Sequence, residues 1–273
     1  MNGLILTISL LLLILFSNAQ GILNPVTGPG GLSAYSTNQA DLFSTFNNQA
    51  ALARVKKKSA GFYGERKYLL EGLNNYLAAG AIETRSGCFG LELGYFGFSR
   101  YNQIMAGLAY ALKLGSRMDA GVQFNYNTLS IPGYGSDFAI GFEIAAVFHL
   151  TEKLHAGIQA SNPAGGKFGR SGMEKLPAVY RGGIGYDASV IFFTGIEIVK
   201  EELMPLCVNA AFYYAGIPGI IIKGGFTSAS SSWLMGIGYL WRSMRVEFSL
   251  RIHPSLGITP GFLLLYETNP GER

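Results

Sequence analysis

The sequence is poor in charge. Only 14% of its 273 residues are Asp, Glu, Lys or Arg, against about 25% in a typical soluble domain. The net charge of +4 is small, and no basic stripe with interleaved aromatics is present, so we expect no nucleic-acid partner. Glycine (37 residues) and aromatic residues (13%) are abundant instead. This composition suits neither a disordered chain nor a soluble helical bundle.

Cysteine, histidine and catalytic motifs are also scarce. Cys88 and Cys207 are far apart and lie inside strand-like segments, so we expect two unpaired thiols. His149, His155 and His253 have no carboxylate-rich cluster at ligand spacing; a metal-binding pair at the first two is the alternative interpretation. No Ser and His are marked as a pair with an orienting partner. We therefore predict no enzymatic activity, no catalytic residues, no cofactor and no metal site.

A long apolar run occurs only at the N-terminus, where "LILTISLLLLILF" precedes "SNAQ". Ser17 and Ala19 are the small residues that a signal peptidase requires, which predicts a signal peptide over residues 1–19 and cleavage before Gln20. The segment before the run carries no Lys or Arg, so an uncleaved anchor is the alternative. No later run of eighteen apolar residues supports a transmembrane helix in the mature chain.

Apolar residues alternate with small or polar residues along most of the remaining sequence. In "QIMAGLAYALKL", one set is Ile104, Leu108 and Leu112, while the other contains Gly107 and Ala109. A soluble sandwich would place the apolar set in its core. A transmembrane barrel places it against lipid and keeps polar and small residues in the lumen. Because unpaired backbone groups are costly in hydrocarbon, strands span a membrane only as a closed barrel.

The spacing of these segments favours the barrel. It predicts an all-β fold, a transmembrane antiparallel β-barrel of about 14 strands, which begin near residues 59, 75, 88, 103, 118, 137, 154, 177, 190, 206, 219, 232, 244 and 258. Every second connector is tight, as in "GSR" and "RSM", and the others are longer. Short turns are typical of the periplasmic side. We therefore predict an outer-membrane protein, in contact with outer-membrane lipid, with both mature termini in the periplasm.

Aromatic residues recur near the predicted strand ends. Such residues form interfacial girdles in membrane barrels, although strands in general are also rich in aromatics. The candidate girdle residues are Tyr95, Phe96, Tyr126, Tyr134, Phe148, Tyr186, Tyr213, Tyr214, Trp241 and Tyr266.

Residues 20–58 do not alternate and are predicted to be an N-terminal periplasmic or plug segment. "QADLFSTFNNQAALARV" could form a short helix with Leu42, Phe46 and Ala50 on one face. We expect a plug inside the lumen, with a loosely packed leader as the alternative. The predicted organisation continues with the barrel over residues 59–268 and a tail over residues 269–273. The candidate plug residues are Asp41, Phe46, Asn48 and Leu52.

The sequence resembles the PorV-type outer-membrane proteins of Bacteroidetes, which are related to the FadL fatty-acid transporters. The resemblance rests on a Gly-rich start, an Ala-Asp…Asn…Ala stretch and a strand that ends in an Asn-Pro turn before "LP". Gln49 departs from the family, which usually has Pro there. The matching residues of the first two motifs are Gly30, Gly31, Ala40, Asp41, Ser44, Asn48, Ala50, Leu52 and Ala53.

This resemblance implies a fourteen-stranded barrel without enzymatic activity. PorV-like proteins work with the type IX secretion and gliding machinery, so the resemblance implies a protein partner in a secretion translocon. FadL-like proteins move hydrophobic small molecules through a plugged lumen, and that function is the alternative. A purely structural barrel is the third possibility.

Charged residues on the inward set of positions are candidates for a functional lumen. We predict that acids of the early strands face bases of the later strands across the lumen. Such pairs would form either a structural network or a polar conduit with a charge-separated constriction. The candidate lumenal charges are Glu92, Asp119, Glu143, Arg181, Glu197, Lys223, Arg242, Arg245, Glu247 and Arg251.

Overall fold

A computed structural model describes residues 29–55, 58–133, 135–168 and 175–268 of the chain. The predicted signal peptide, Tyr134 and the predicted C-terminal tail lie outside the described residues. Fourteen antiparallel strands form a closed barrel in which each strand pairs with its neighbours in the chain and the last pairs with the first. This confirms the predicted fold class and strand number.

The barrel strands start within two residues of their predicted positions. They are β1 (Lys58–Arg66), β2 (Asn74–Thr84), β3 (Gly87–Gly97), β4 (Asn102–Lys113), β5 (Met118–Ile131), β6 (Gly135–His149), β7 (Leu154–Ser161), β10 (Val179–Ser189), β11 (Phe192–Glu201), β12 (Cys207–Ile217), β13 (Ile220–Thr227), β14 (Ser232–Trp241), β15 (Met244–His253) and β16 (Gly257–Glu267). Between β7 and β10, β8 (Gly166–Lys167) and β9 (Lys175–Leu176) form a separate two-stranded sheet.

The alternating sequence sets the two faces of the wall. On β4, the side chain of Leu108 is 68% exposed on the outer face, whereas its neighbour Ala109 is 4% exposed in the interior. The same contrast recurs on β14, where Trp233 and Met235 point outward. An exposed apolar belt of this kind is costly in water and favourable in lipid. No helix in the described part of the chain is long and apolar enough to cross a membrane.

Connector lengths differ between the two ends of the barrel. At one end, here called the tight-turn end, the connectors contain two to four residues, as at 85–86 and 242–243. At the other, the long-loop end, they reach seventeen residues at 162–178. The start of β1 and the end of β16 lie together at the tight-turn end, where Ser59 pairs with Glu267.

The described part of the N-terminal segment, residues 29–55, lies inside the barrel and is called the plug. It contains three 3-10 helices, Pro29–Tyr35, Leu42–Phe46 and Gln49–Arg54. A fourth short 3-10 helix, Lys67–Leu69, lies in the first long loop.

The plug does not form the single helix that the apolar spacing predicts. Asp41 and Asn48 each accept a hydrogen bond from a backbone N–H two or three residues later, so each caps a new short helix. Residues 41–53 are all buried, and the segment therefore has no solvent face of the kind an amphipathic helix would need.

The long-loop end of the lumen is also partly covered. Phe168 and Leu176, from the loop that holds β8 and β9, pack on the inward side chains Leu129 and Ala139. Both cysteines are free, as expected from their positions.

Candidate functional site

Two parts of the lumen wall differ chemically and are called the apolar half and the polar half. Between them lie β13–β15, which carry Lys223, Arg245, Glu247 and Arg251. The apolar half is formed by β1–β4 and β16, and its buried apolar side chains are Tyr63, Leu77, Ala79, Ala81, Cys88, Ala109, Ala111, Leu263 and Leu265. It is interrupted by the buried polar side chains Ser59, Glu65, Asn75, Glu92, Gln103 and Thr259. The polar half is formed by β5–β7 and β10–β12, and its buried polar side chains are Asp119, Gln123, Asn125, Asn127, His155, Gln159, Ser161, Arg181, Asp187, Glu197 and Asn209. The plug lies between the two halves.

The plug packs its largest apolar side chains on the apolar half. Phe43 stacks on Phe46 with 6.0 Å between ring centroids, and it meets Tyr63 of β1 at 6.5 Å. Leu52 lies over Gly90, where an added Cβ would be 3.0 Å from a Leu52 methyl carbon. Contacts of this kind stabilise through apolar area and shape, and they do not specify one orientation as hydrogen bonds do.

Glu197 is the centre of the contacts on the polar half. Its carboxylate accepts hydrogen bonds from the Tyr35 hydroxyl at 2.6 Å, from Asn47 Nδ2 at 2.9 Å and from Asn209 Nδ2 at 3.0 Å. Arg181 lies 3.8 Å from the same carboxylate. A buried carboxylate with this many donors holds the first and second plug helices in one position.

Four further wall acids accept from the plug, and one of them, Asp187, accepts from Ser36 and Thr37. Thr45 donates to Glu92 at 2.5 Å. Gln49 Nε2 donates to Glu143 at 2.5 Å, and that carboxylate also accepts from the neighbouring wall residues Asn125 and Gln159. Arg54 and Asp119 form an ion pair at 2.5 Å.

Glycines on the wall give the plug room. A Cβ added at Gly157 or Gly183 would overlap the ring of Tyr35, and one at Gly121 would be 2.5 Å from the carbonyl carbon of Gln49. These inward glycines therefore form the seat on which the plug backbone and the Tyr35 ring rest.

The late-strand bases have partners on their own side of the lumen. Arg245 pairs with Asp41 of the plug and lies 2.9 Å from Glu247. Lys223 lies 2.6 Å from Glu247. Arg251 lies 4.0 Å from Glu65 of β1.

The prediction that acids of the early strands pair with bases of the later strands across the lumen is therefore wrong. Among the described residues, no ion pair joins the early acids Glu92, Asp119 and Glu143 to the late bases. The plug occupies the space between them, and its donors satisfy the acids. This arrangement is a plugged lumen held by polar contacts, and it differs from an open charge-separated constriction.

Arg242 is not a lumenal charge. It lies in the tight turn between β14 and β15, is exposed, and sits over the ring of Trp241 at 5.7 Å. The alternation that predicts an inward position ends at Trp241, and Arg242 takes a positive φ of 54° in the turn.

The four candidate plug residues all lie inside the barrel. The sequence analysis did not identify several residues through which the plug and the wall contact each other. Tyr213 is the clearest example of a missed partner. The sequence places it in the aromatic girdle, but it lies two residues from the inward-facing Ala211 and therefore faces the lumen as well. It is buried, and its hydroxyl donates to the Gly30 carbonyl at 2.5 Å. Tyr35 and Asn47 had no recognisable local signal, because their partner Glu197 is about 150 residues away.

The described residues line a polar cavity and an apolar groove. A polar cavity of about 50 Å³ lies between the plug and the long-loop end and is lined by Asn125, Glu143, Asn162 and Leu176. An apolar groove of about 790 Å³ lies on the outer face of β12–β15, between the outward side chains of Phe212, Phe226, Trp233, Met235 and Phe248. No group of three or more His, Cys, Asp or Glu in the described ranges could hold a metal ion.

Comparisons with known proteins identify the fold. No family model and no curated protein matches the sequence. The structure is similar to the CymD monoaromatic hydrocarbon channel, with a TM-score of 0.65, 11% identity, and coverage of 93% of this chain and 100% of that chain. It is also similar to the toluene transporter TodX of Pseudomonas putida, with a TM-score of 0.64, 8% identity, and coverage of 90% and 98%.

A FadL homologue of Pseudomonas aeruginosa is a further neighbour, with a TM-score of 0.60, 12% identity, and coverage of 91% of this chain and 100% of that chain. The chain thus has the closed fourteen-stranded transmembrane fold of these FadL-type barrels. None of these similarities supports the PorV-type assignment over the FadL-type alternative.

Proposed function

We propose that the protein is a non-enzymatic outer-membrane barrel that passes small hydrophobic molecules, with both mature termini in the periplasm. The observation that carries this proposal is the apolar half of the lumen wall, on which the plug rests through Phe43, Phe46 and Leu52. The fold shared with hydrocarbon channels supports it. The long loops are short for a large protein-binding surface, which favours transport over the PorV-like role.

The two halves of the wall differ in what a passing molecule would have to displace. On the polar half it would leave buried donors and acceptors without partners, at about 1–3 kcal/mol for each. On the apolar half a hydrocarbon would replace apolar contacts with similar ones at little net cost, except at the hydrogen bond between Thr45 and Glu92. The route that we propose therefore runs between the plug and the inward side chains of β2–β4, including Ala79 and Ala109.

Uptake in cells that produce the protein tests this function. Radiolabelled toluene at low concentration enters faster than in cells without it. Ala109→Trp, which fills the proposed route, abolishes the gain, whereas Ala106→Trp, on the lipid face of the same strand, retains it. Equal uptake with and without the protein contradicts the proposal, as does an Ala109→Trp variant that is folded and fully active.

The partner hypothesis makes a different prediction. A PorV-like companion barrel brings a large translocon subunit with it when purified in mild detergent from its native membrane. Recovery of the barrel alone, together with toluene uptake, favours the transporter.

A further inference from the structure

The described residues of the plug fill the lumen unevenly. The first plug helix packs on β7 and β10–β13, the second on β1 and β2, and the third on β3–β6. Among the described residues, β14 and β15 receive no comparable packing from a plug helix, and an ion pair between Arg245 and Asp41 connects them to the plug. The lumen in front of these two strands is therefore less filled than the rest.

Inward side chains of β14 and β15 are more exposed than most inward side chains elsewhere on the wall. The side chain of Arg251 on β15 is 21% exposed, whereas those of Glu197 and Arg181 on the polar half are at most 2% exposed. Gly236 on β14 and Ser249 on β15 lie opposite each other in the register, and both are partly exposed as well. Since these residues face the lumen, their exposure shows that space beside the plug is accessible to water.

The space beside Gly236 is bounded by the wall and is not taken by the plug. The three atoms nearest to a Cβ added at Gly236 are all wall atoms, at 3.5–3.8 Å. A Cβ added at Gly183, on the polar half, would instead overlap the ring of Tyr35 from the plug. Small inward residues therefore seat the plug on the polar half, whereas on β14 they leave room in the lumen.

The partly exposed inward residues follow one another along the barrel axis and are here called the seam. Between its first and second register pairs, Glu247 and the opposite Gly238 are buried, so their level is the constriction of the seam. From the tight-turn end to the long-loop end, the three exposed register pairs of the seam are Leu240 with Arg245, Gly236 with Ser249, and Leu234 with Arg251.

Ion pairs form the constriction. Glu247 lies 2.6 Å from Lys223 of β13 and 2.9 Å from Arg245, and Arg245 also pairs with Asp41 of the plug. The cations are the more exposed partners. The side chains of Lys223, Arg245 and Arg251 are 11%, 12% and 21% exposed, and those of their acidic partners are at most 9% exposed. The charge that the seam presents to water is therefore mainly positive.

Contact with water is also what these charges require. Ionised groups in a dry lumen would cost several kcal/mol each in lost hydration, even when they are paired. Partial exposure reduces this cost. Basic side chains that line a hydrated passage attract anions and repel cations.

We propose that the seam is a water-filled path through the barrel, beside the plug, and that it conducts small inorganic anions such as chloride. Its accessible cations attract the anion, and the contacts of Glu247 with Lys223 and Arg245 set its narrowest point. The seam lies on β14 and β15, apart from the apolar route on β2–β4. The conductance therefore does not depend on the function proposed above.

Conductance of the full mature chain in planar lipid bilayers tests the seam. In KCl the protein produces current steps, and in a KCl gradient the reversal potential shows that chloride crosses more readily than potassium. Arg251→Gln lowers this preference. Ser249→Trp, which places a ring in the seam, removes the steps. Leu250→Trp is the matched control, because Leu250 is the next residue of β15 and lies beside the outward Met235.

Three results would overturn the proposal. The first is a folded protein, as shown by heat-modifiable migration, that adds no current to that of the empty bilayer. The second is a reversal potential that favours potassium, or a chloride preference that is unchanged in Arg251→Gln. The third is current that persists in Ser249→Trp, as expected if the plug leaves the lumen and opens a passage much wider than one ring. If Ser249→Trp does not fold, Gly236→Trp decides the question, because Gly236 lies opposite Ser249.

Discussion

The apolar and polar halves of the lumen wall hold the plug in different ways. The apolar half, with Leu77, Ala109 and Leu265, offers area and shape to Phe43, Phe46 and Leu52. The polar half, centred on Glu197, offers directed hydrogen bonds to Tyr35 and Asn47. The location of the plug and the strength with which it is held therefore depend on different contacts. The polar half fixes where the plug sits, and the apolar half holds it through apolar area.

Removal of Glu197, the central acid of the polar half, has the largest expected effect on the free energy with which the plug docks. Glu197→Ala leaves three buried donors and the Arg181 charge without their acceptor, which weakens plug docking by about 3–5 kcal/mol. Hydrogen exchange at residues 30–54 measures it. Glu152→Ala removes an exposed acid of a tight turn and serves as the control. Unchanged protection in Glu197→Ala would show that the polar half does not position the plug.

A cavity on the apolar half has the next largest effect. Leu52→Ala weakens plug docking by about 2–5 kcal/mol, because it removes buried apolar volume beside Gly90. The cavity is apolar, so a small hydrocarbon such as benzene should fill it and restore part of the protection. Glu197→Ala should show no such rescue. Leu108→Ala, on the lipid face, is the control, and rescue of both lumenal variants or of neither would remove the distinction between the halves.

The ion pair between Asp41 and Arg245 predicts a smaller, acid-dependent effect. Burial raises the pKa of the Asp41 carboxyl, but the charges of Arg245 and Lys223 and the hydrogen bonds from Arg245 and Ser44 together lower it by more, so the pKa lies below its usual range. A carboxyl with a lowered pKa stabilises the docked plug above the pH at which the released carboxyl titrates, about pH 4, and this contribution is lost as the pH falls through the lower, docked value.

Asp41→Asn should therefore weaken docking by about 1–3 kcal/mol at neutral pH and flatten the exchange profile below about pH 4. If the exchange of the plug depends on pH below about pH 4 equally in Asp41→Asn and in the unmodified protein, another carboxylate causes that dependence.

Arg242→Ala has the smallest expected effect. The side chain is exposed in a tight turn and does not face the lumen, so plug docking should change by less than about 0.5 kcal/mol. Arg245→Ala, three residues later, is the matched contrast, because it leaves Asp41 without its partner. A large loss of protection against hydrogen exchange in Arg242→Ala would show that Arg242 contacts the plug from the lumen wall.

The barrel could be predicted from the sequence because strand alternation is local. Neighbouring residues such as Leu108 and Ala109 indicate directly which face of the wall is outer and which is inner, and the connector lengths distinguish the two ends of the barrel. The contacts of the plug are not local: Tyr35 and Glu197 are 162 residues apart, and Asp41 and Arg245 are 204 apart. No periodicity or spacing records such pairs, so the sequence predicted a plug and an inward set of charges without their partners.

The direction of the apolar side chains along β4 tests the central claim most directly. Spin labels placed singly at residues 104–111 of the protein in lipid bilayers report their access to oxygen dissolved in the hydrocarbon. The account predicts a period of two, with high access at residues 104, 106, 108 and 110 and low access at residues 105, 107, 109 and 111. Low access at Leu108 together with high access to a water-soluble reagent at Ala109, as in the core strand of a soluble sandwich, would contradict it.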